Sequence, residues 1–297
     1  MSSILDVLII GKGPAGLQAA LYIARSGLSL AVVGNDAGSL ALAGKVENYY
    51  GLPAPCTGPE LQRNGEAQVC SFGAEIHDCQ VLGFGFLDNG EYQVITTKGE
   101  FQAKALLIAT GARRSKPPVE GIGLFEGKGV SYCAVCDGFL YRGKKTGVLG
   151  HAEYAFAEAR ELVAINGSTV LFTNGETPDF GAGAVDIDPD VLKIVSAPIK
   201  GLEWGEHLSG IRFKDGGFRE LDGLFVAYGT ASGSDLARKL GVLLSPKGDI
   251  FTDRNQETNI PGVYAAGDCT GVFRQVAVAA GQGALAAKNI IEYVRNH

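Results

Sequence analysis

Residues Ile4 to Ile10 read Ile-Leu-Asp-Val-Leu-Ile-Ile, a nearly unbroken apolar run of the kind carried by a strand buried on both faces. Gly11-Lys12-Gly13-Pro14-Ala15-Gly16 follows at once, then Leu17, Ala20, Leu21 and Ala24 at helical spacing, then a second β-type run from Leu28 to Val33. Strand, glycine-rich turn, helix and strand in this order predict the opening unit of a doubly wound α/β sheet. The spacing gives each glycine its own task. Gly11 makes the tight turn, Gly13 leaves room for a pyrophosphate to approach the backbone, and Gly16 lets the helix pack on the strand. The free N–H groups and positive dipole end of the helix then face the diphosphate. A bare glycine fingerprint is a weak signal, but the strand before it and the helix after it supply the context of a dinucleotide site. The alternative is a glycine-rich turn without a ligand.

In such units an acidic residue about 20 positions on, at the end of the second strand, bonds the ribose. Here that run ends Val32-Val33-Gly34-Asn35-Asp36, so Asp36 stands one or two positions late. Glycine is abundant throughout, 43 of 297 residues or about 14%, twice the roughly 7% of an average protein. It has no three-residue period, which excludes collagen and points to tight turns and close backbone approach. The 32 acidic residues outweigh the 26 basic ones, a net charge of -6 that argues against a nucleic-acid or anionic-membrane surface. No apolar run reaches the roughly 18 residues of a spanning helix, and Met1 to Asp6 carry no basic leader pattern, so the expected location is the cytoplasm.

The pattern recurs. Ala105 to Ala109 is another apolar strand, closing on Thr110-Gly111, and Pro117-Pro118 reads as a stiff crossing between domains. A second strand-turn-helix unit starts at Thr146, with its helix over Tyr154 to Val163 and a strand at Thr169 to Phe172. Its turn, Gly150-His151-Ala152-Glu153-Tyr154-Ala155, has alanine where backbone should meet phosphate. Glu153 adds negative charge at the same helix end, which repels a pyrophosphate even if the residue only caps the helix. Thr173-Asn174-Gly175-Glu176-Thr177 supplies no arginine for a 2′-phosphate. His151 fits a capping or solvent role better than a catalytic one. Near the end, Asn259 to Asp268 is a strand running into Gly267-Asp268, and Gln275 to Val294 is a helix rich in small residues.

Six cysteines, at 56, 70, 79, 133, 136 and 269, are too sparse for a disulfide framework. Cys133 and Cys136 alone form a close pair, at the spacing of a redox disulfide. A zinc site would want a second such pair, and inert buried thiols are the remaining reading. Asp137 beside them is a candidate proton donor to a leaving thiolate, or else a turn aspartate preceding Gly138.

In chain order, Gly11 to Gly16, Val46-Glu-Asn-Tyr-Tyr-Gly51, Ala109-Thr-Gly111, Ser131 to Gly138, Ile260 to Asp268, Arg274 to Val276 and Ala279 to Gly281 resemble the low-molecular-weight thioredoxin reductase family over nearly the whole chain. The resemblance implies two Rossmann-like FAD/NAD(P)-binding domains, the second inserted into the first. Residues 1–113 and 244–297 would form the FAD domain, residues 114–243 the central domain, and the chain would be a homodimer. By the same resemblance Gly11, Gly13 and Gly16, with Pro14 and Ala15 between them, would hold the FAD pyrophosphate. Asn48 would lie near the flavin, with Thr110 and Gly111 in the FAD loops, Gly267 and Asp268 at the ribitol, and Arg274, Gln275 and Val276 at the isoalloxazine edge. Cys136 would meet the flavin, Cys133 the protein substrate, and Asp137 would move the proton. The family's central domain swings so that the dithiol alternates between the two.

The departures matter as much. NADPH-using members carry a full central glycine fingerprint and an arginine segment, and both are missing here. The chain is similar in this to the branch of ferredoxin-dependent flavin thioredoxin reductases and diflavin-linked disulfide oxidoreductases. NADPH is therefore not expected, one FAD is, and a second FAD stays open as an occupant of the central site. The expected partners are thioredoxin or a similar dithiol protein and a ferredoxin-like donor. Between residues 113 and 145, Arg113, Arg114, Lys116, Lys128, Arg142, Lys144 and Lys145 face only Glu120, Glu126 and Asp137, a local +4 that could steer an acidic ferredoxin or simply form a solvated rim. An NAD(P)H-dependent reductase with a degenerate site and an oxygen-using dithiol oxidase remain as alternatives.

Overall fold

A computed structural model describes residues 4–35, 38–87, 90–111, 117–181 and 188–297. The predicted opening appears as β1 (Leu5–Ile10), α1 (Pro14–Arg25) and β2 (Leu30–Val33), followed by α2 (Gly58–Ser71), β3 (Glu75–His77), β4 (Val81–Phe86), β5 (Tyr92–Thr96) and β6 (Gly99–Ile108). The middle of the chain gives β7 (Val130–Ser131), α3 (Ala134–Asp137), β8 (Thr146–Leu149), α4 (Glu153–Asn166), β9 (Thr169–Phe172), β10 (Leu192–Val195), β11 (Ile199–Trp204), β12 (Leu208–Phe213), β13 (Phe218–Glu220) and β14 (Gly223–Val226). Then come α5 (Gly233–Lys239), β15 (Val263–Ala265) and α6 (Val276–Asn296).

These elements form two compact units, residues 1–113 with 232–297 and residues 114–231. In the outer unit the sheet order is β3-β2-β1-β6-β5-β4, with β15 also on β6. β6 serves both neighbours because it is long: its first half pairs antiparallel with β5 and its last three residues pair parallel with β15. The central unit repeats the parallel pattern as β10-β9-β8-β14-β7 and adds an antiparallel sheet of β11, β12 and β13. In each parallel sheet the strand order reverses beside the first strand, at β1/β6 and at β8/β14. Such reversals open the crevice at strand C-termini where α/β sheets take ligands.

The chain returns to the outer unit at Ser232, not at 244 as the sequence suggested. A capping box starts α5 there: Ser232 Oγ accepts from Asp235 N–H, and the Asp235 carboxylate accepts from Ser232 N–H. The helix then packs within the outer unit, where Gly233 lies against Thr110 and Cys269 and Lys239 Nζ donates to the carbonyl of Leu82 at 2.6 Å.

Each unit has its own core. In the outer one Val7, Ile9, Ile23, Val32, Leu107 and Ile290 pack together, and in the central one Leu149, Phe172, Ile211 and Leu224 do so. α6 crosses α1 at Gly283, where a Cβ would overlap the carbonyl oxygen of Ala15. Among the described residues no helix is long and apolar enough to cross a membrane, and no cluster of His, Cys, Asp and Glu could hold a metal ion. Of the four free cysteines, Cys70 is exposed, Cys56 half-buried, and Cys79 and Cys269 buried. Burial pushes the Cys79 thiol up and the Cys269 thiol up to about 12, so neither supplies thiolate at neutral pH.

Two expected outcomes follow from this packing. Gly283→Ala should lower stability by about 1–3 kcal/mol through overpacking, whereas Gly281→Ala on the same helix, with nothing within 4 Å of its added carbon, should raise it by about 0.5–1 kcal/mol. Urea denaturation of the two variants checks the contrast. Thiol labelling of the native protein should modify Cys70 first and leave Cys79 and Cys269 untouched until denaturant is added, as read by peptide mass spectrometry.

Candidate functional site

The outer-unit cradle is built by backbone. Gly11 N–H donates to the carbonyl of Val33 at 2.7 Å, and Ala109 N–H donates to that of Ile10 at 2.7 Å, so the ends of β1, β2 and β6 close on one turn. Gly11 adopts φ +117°, and a Cβ there would overlap the carbonyl oxygen of Ala109. A Cβ on Gly16 would overlap the carbonyl oxygen of Gly11 and approach Ile9. Gly13, by contrast, has nothing within 4 Å of where a Cβ would sit. Gly11 and Gly16 are consumed by packing, and Gly13 between them faces open space. Pro14 occupies the first turn of α1, Ala15 is buried behind it, and neither a side-chain cap nor an acid occupies the helix start. Its N–H groups are available to an anion.

The other segments converge in the same unit. Asn48 Nδ2 donates to Gln275 Oε1 at 2.8 Å, joining positions 227 residues apart. Gln275 is the N-cap residue of α6, Val276 is its first residue, and this helix too begins without an acid. Gly267 N–H is held by Gln282 Oε1 at 2.8 Å. Beside it Asp268 is half-buried, and burial raises its carboxyl while Arg274 draws it back down. Thr110 Oγ1 is buried without a hydrogen-bond partner among the described residues. Gly111 adopts φ +74° with open space at its side-chain position. A bare phosphate cradle, an orphaned hydroxyl and a partly desolvated carboxyl suit a dinucleotide with a polyol chain. Asp36 lies outside the described residues.

The central unit holds the sulfur chemistry. Cys133 and Cys136 are joined by a disulfide, with Cα atoms 5.3 Å apart, across the single turn of α3. Cys136 N–H points at Cys133 Sγ, 3.2 Å away, and Asp137 N–H donates to the Cys133 carbonyl at 3.1 Å. Asp137 is also engaged through its side chain: Ser131 Oγ donates to Asp137 Oδ2 at 2.6 Å and accepts from Cys133 N–H at 3.2 Å. Asp137 is thus both a turn residue and a carboxylate wired through Ser131 to the first cysteine. Cys133 is 1% exposed and Cys136 half-buried. Two participants escape sequence reasoning. Ser131 lies inside the motif without an evident task, and Glu158, whose Oε2 accepts from Ala134 N–H at 2.7 Å, lies 24 residues away. A charged residue on the apolar stripe of Ala155, Ala159 and Leu162 is the available signal for Glu158.

The second turn repeats the first in backbone. Gly150 N–H donates to Phe172 at 2.9 Å, Ala227 N–H donates to Leu149 at 2.9 Å, and a Cβ on Gly150 would overlap the Ala227 carbonyl. The surroundings differ. Ala152 forms a β-bridge with Asp179, whose N–H donates to the His151 carbonyl at 2.7 Å. Phe180 stacks on Phe156 at 5.2 Å, and Gly181 lies against the Glu153 carboxylate. Tyr228 meets the His151 ring edge-on at 5.3 Å and donates to Glu176 Oε1 at 3.4 Å. Asp179 and Gly181 of the same chain therefore lie against the altered turn. Asn174, in the segment lacking arginine, holds the start of β11 by accepting from Ile199 N–H at 2.7 Å.

Among the expected basic residues Lys128, Arg142, Lys144 and Lys145 are exposed, but Lys145 is paired with Glu220 and Lys144 lies over the Tyr141 ring. Arg113, Arg114 and Lys116 lie outside the described residues.

These features have counterparts in known proteins. The chain is 34% identical over 299 residues to a Pseudomonas putida alkyl hydroperoxide reductase subunit, covering 95% of this chain and 56% of that protein, so it spans little more than half of that relative. It is 32% identical to the thioredoxin reductase of Aquifex aeolicus, covering 97% and 93% of the two chains. Among solved structures, the atypical thioredoxin reductase TRi from Desulfovibrio vulgaris Hildenborough is 40% identical with a TM-score of 0.89, covering 99% of each chain. A ferredoxin-flavin thioredoxin reductase from Clostridium acetobutylicum is 30% identical with a TM-score of 0.70, again over 99% of each. The model of the pyridine nucleotide-disulphide oxidoreductases matches residues 5–170 and 196–283, which include the glycine turn, the disulfide and Asp268, and the chain belongs to that family.

Proposed function

We propose that this chain is an FAD-dependent disulfide oxidoreductase of the thioredoxin reductase kind, reducing thioredoxin or a similar dithiol protein with electrons from a ferredoxin-like donor rather than from NADPH. The observation that carries the reading is the contrast between two turns of equal backbone design. One offers free helix N–H groups and open space at Gly13, while the other carries Ala152, Glu153 and an overlying stretch of its own chain. A pyridine nucleotide or a second FAD would meet Asp179 and Gly181 at this turn and approach the Glu153 carboxylate. One FAD per chain is therefore the expected complement.

In this reading Gly11, Gly13, Pro14, Ala15 and Gly16 receive the diphosphate, Asp36 is the candidate for the ribose, and Gly267 and Asp268 meet the ribityl chain. Thr110 and Gly111 complete the loop, and the Asn48–Gln275 pair, with Arg274 and Val276, edges the ring. Bound FAD would supply the exchange between single-electron donors and the two-electron disulfide. The residues of the chain manage sulfur and protons. Reduction of Cys133–Cys136 takes two electrons and two protons, and Asp137, held on Ser131, is placed to deliver one of them to a leaving thiolate. The exposed side chains of Val135, Phe139 and Leu140 beside the disulfide give a protein substrate apolar surface to dock on. Cys133 must be uncovered before it can attack such a substrate. Support for a ferredoxin-like donor comes from the Clostridium neighbour and from the exposed Lys128, Arg142 and Lys144. The reading also includes a homodimer.

The test is an anaerobic titration of the flavoprotein followed by its visible absorbance. Dithiothreitol and reduced ferredoxin should bleach the flavin, NADPH and NADH should not, and the flavin-to-protein ratio should be near one. Bleaching by NADPH would overturn the donor assignment, and a ratio near two would restore a flavin to the central unit. Asp137→Asn should slow thioredoxin reduction by about 100-fold with little change in flavin content, as measured by steady-state turnover with reduced ferredoxin.

A further inference from the structure

α4 begins at Glu153 without a side-chain cap, and its buried face supports the disulfide turn. A Cβ on Gly138, two residues after Cys136, would come within 2.7 Å of Ile165 Cδ1 and 3.2 Å of Leu162 Cδ2. Closer to the sulfurs, Glu158 Oε2 accepts from Ala134 N–H at 2.7 Å, one peptide bond from Cys133. Glu158 is 1% exposed, and Ala134, Ala155, Ala159 and Leu162 are fully buried. Burying a carboxylate is costly unless its charge is used. Glutamine would offer that N–H a neutral acceptor of the same shape. A carboxylate adds charge beside a pair whose reduced form passes through thiolate, and Asp137 is the second carboxylate at that turn.

We propose that Glu158 is a positioning residue of the disulfide pair, pinning the first N–H of the Cys133–Cys136 turn and keeping the reduced pair a strong reductant by disfavouring its thiolates. The proposal rests on the redox reading of the pair given above. The reaction it biases is balanced: the S–S bond breaks, two electrons arrive from the donor side, and two protons convert the sulfurs to thiols. Oxidation by a substrate disulfide reverses this. Negative charge near Cys133 raises the free energy of the thiolate and so shifts the equilibrium toward the disulfide, which makes electron transfer onward to the substrate more favourable. Glu158 itself neither touches a sulfur nor exchanges electrons.

The test equilibrates the full-length flavoprotein with glutathione redox buffers at mildly alkaline pH, then acid-quenches and alkylates it. The Cys133–Cys136 peptide is quantified by mass spectrometry, which separates it from the four free cysteines. Two isosteric comparisons are made, wild type against Glu158→Gln and Glu158→Asp against Glu158→Asn. Within each comparison the two side chains share a shape and differ in charge. The amide member should be the more easily reduced by about fivefold, about 20 mV for a two-electron couple. If Glu158→Gln does not retain flavin, the Asp and Asn variants decide, since both carry the same shortened side chain. Equal constants within the comparisons, or a shift toward the disulfide in the amides, overturn the proposal. Absence of any reversible thiol-disulfide transition in the wild-type peptide overturns the redox reading itself, so the two failures are distinguishable.

Discussion

The outer unit depends on backbone meeting backbone at the end of β1. Gly11 lies so close to the Ala109 carbonyl, and Gly16 so close to the Gly11 carbonyl, that no side chain fits at either position. This closeness brings β2 and β6 into register on either side of β1 and aims α1 away from the strand ends with its first N–H groups bare. Gly267, at φ +87° and with a Cβ position 3.0 Å from Ala15, extends the same constraint to the C-terminal segment. The C-terminal part of the chain is thus committed to this unit by a fit with its first sixteen residues. The anion cradle at Gly13 is the space left over when these contacts are satisfied.

The central unit holds the same constraint with a different outcome. Gly150 and Ala227 reproduce the approach of Gly11 and Ala109, and the hydrogen bonds to Phe172 and Leu149 match those to Val33 and Ile10. What differs is confined to side chains and to one covering segment. Alanine at 152 still permits the turn because its backbone is extended, with φ -112° and ψ 178°, so losing the glycine costs no strain. The turn itself depends on the packed glycine, so the side chains at 152 and 153 can vary without altering the fold.

That separation explains how much of the molecule is legible in the sequence. Gly11, Gly13 and Gly16 act within a few residues of one another, so spacing alone assigns their tasks. The Asn48–Gln275 contact is reachable only through family resemblance, since nothing local links residues 227 apart. The return at Ser232 is earlier than the strand and Gly-Asp loop near Asp268 suggest, and the capping box Ser232-Gly-Ser-Asp235 is the local signal that marks it. The covering of the second turn is invisible for a different reason. Thr177 to Gly181 has no periodicity, and its place is visible only in contacts such as the β-bridge of Asp179 with Ala152 and the approach of Gly181 to Glu153.

Glu158 joins these threads. In the central unit the frame that shapes the turn at Gly150 also supports the disulfide. α4 carries Glu158, Leu162 and Ile165 against the disulfide turn. α3 is only four residues long and cannot hold its own geometry by helical hydrogen bonds. It borrows rigidity from its fourteen-residue neighbour α4. Two sulfurs are thereby held in reach of each other, with one backbone N–H fixed by a buried acid.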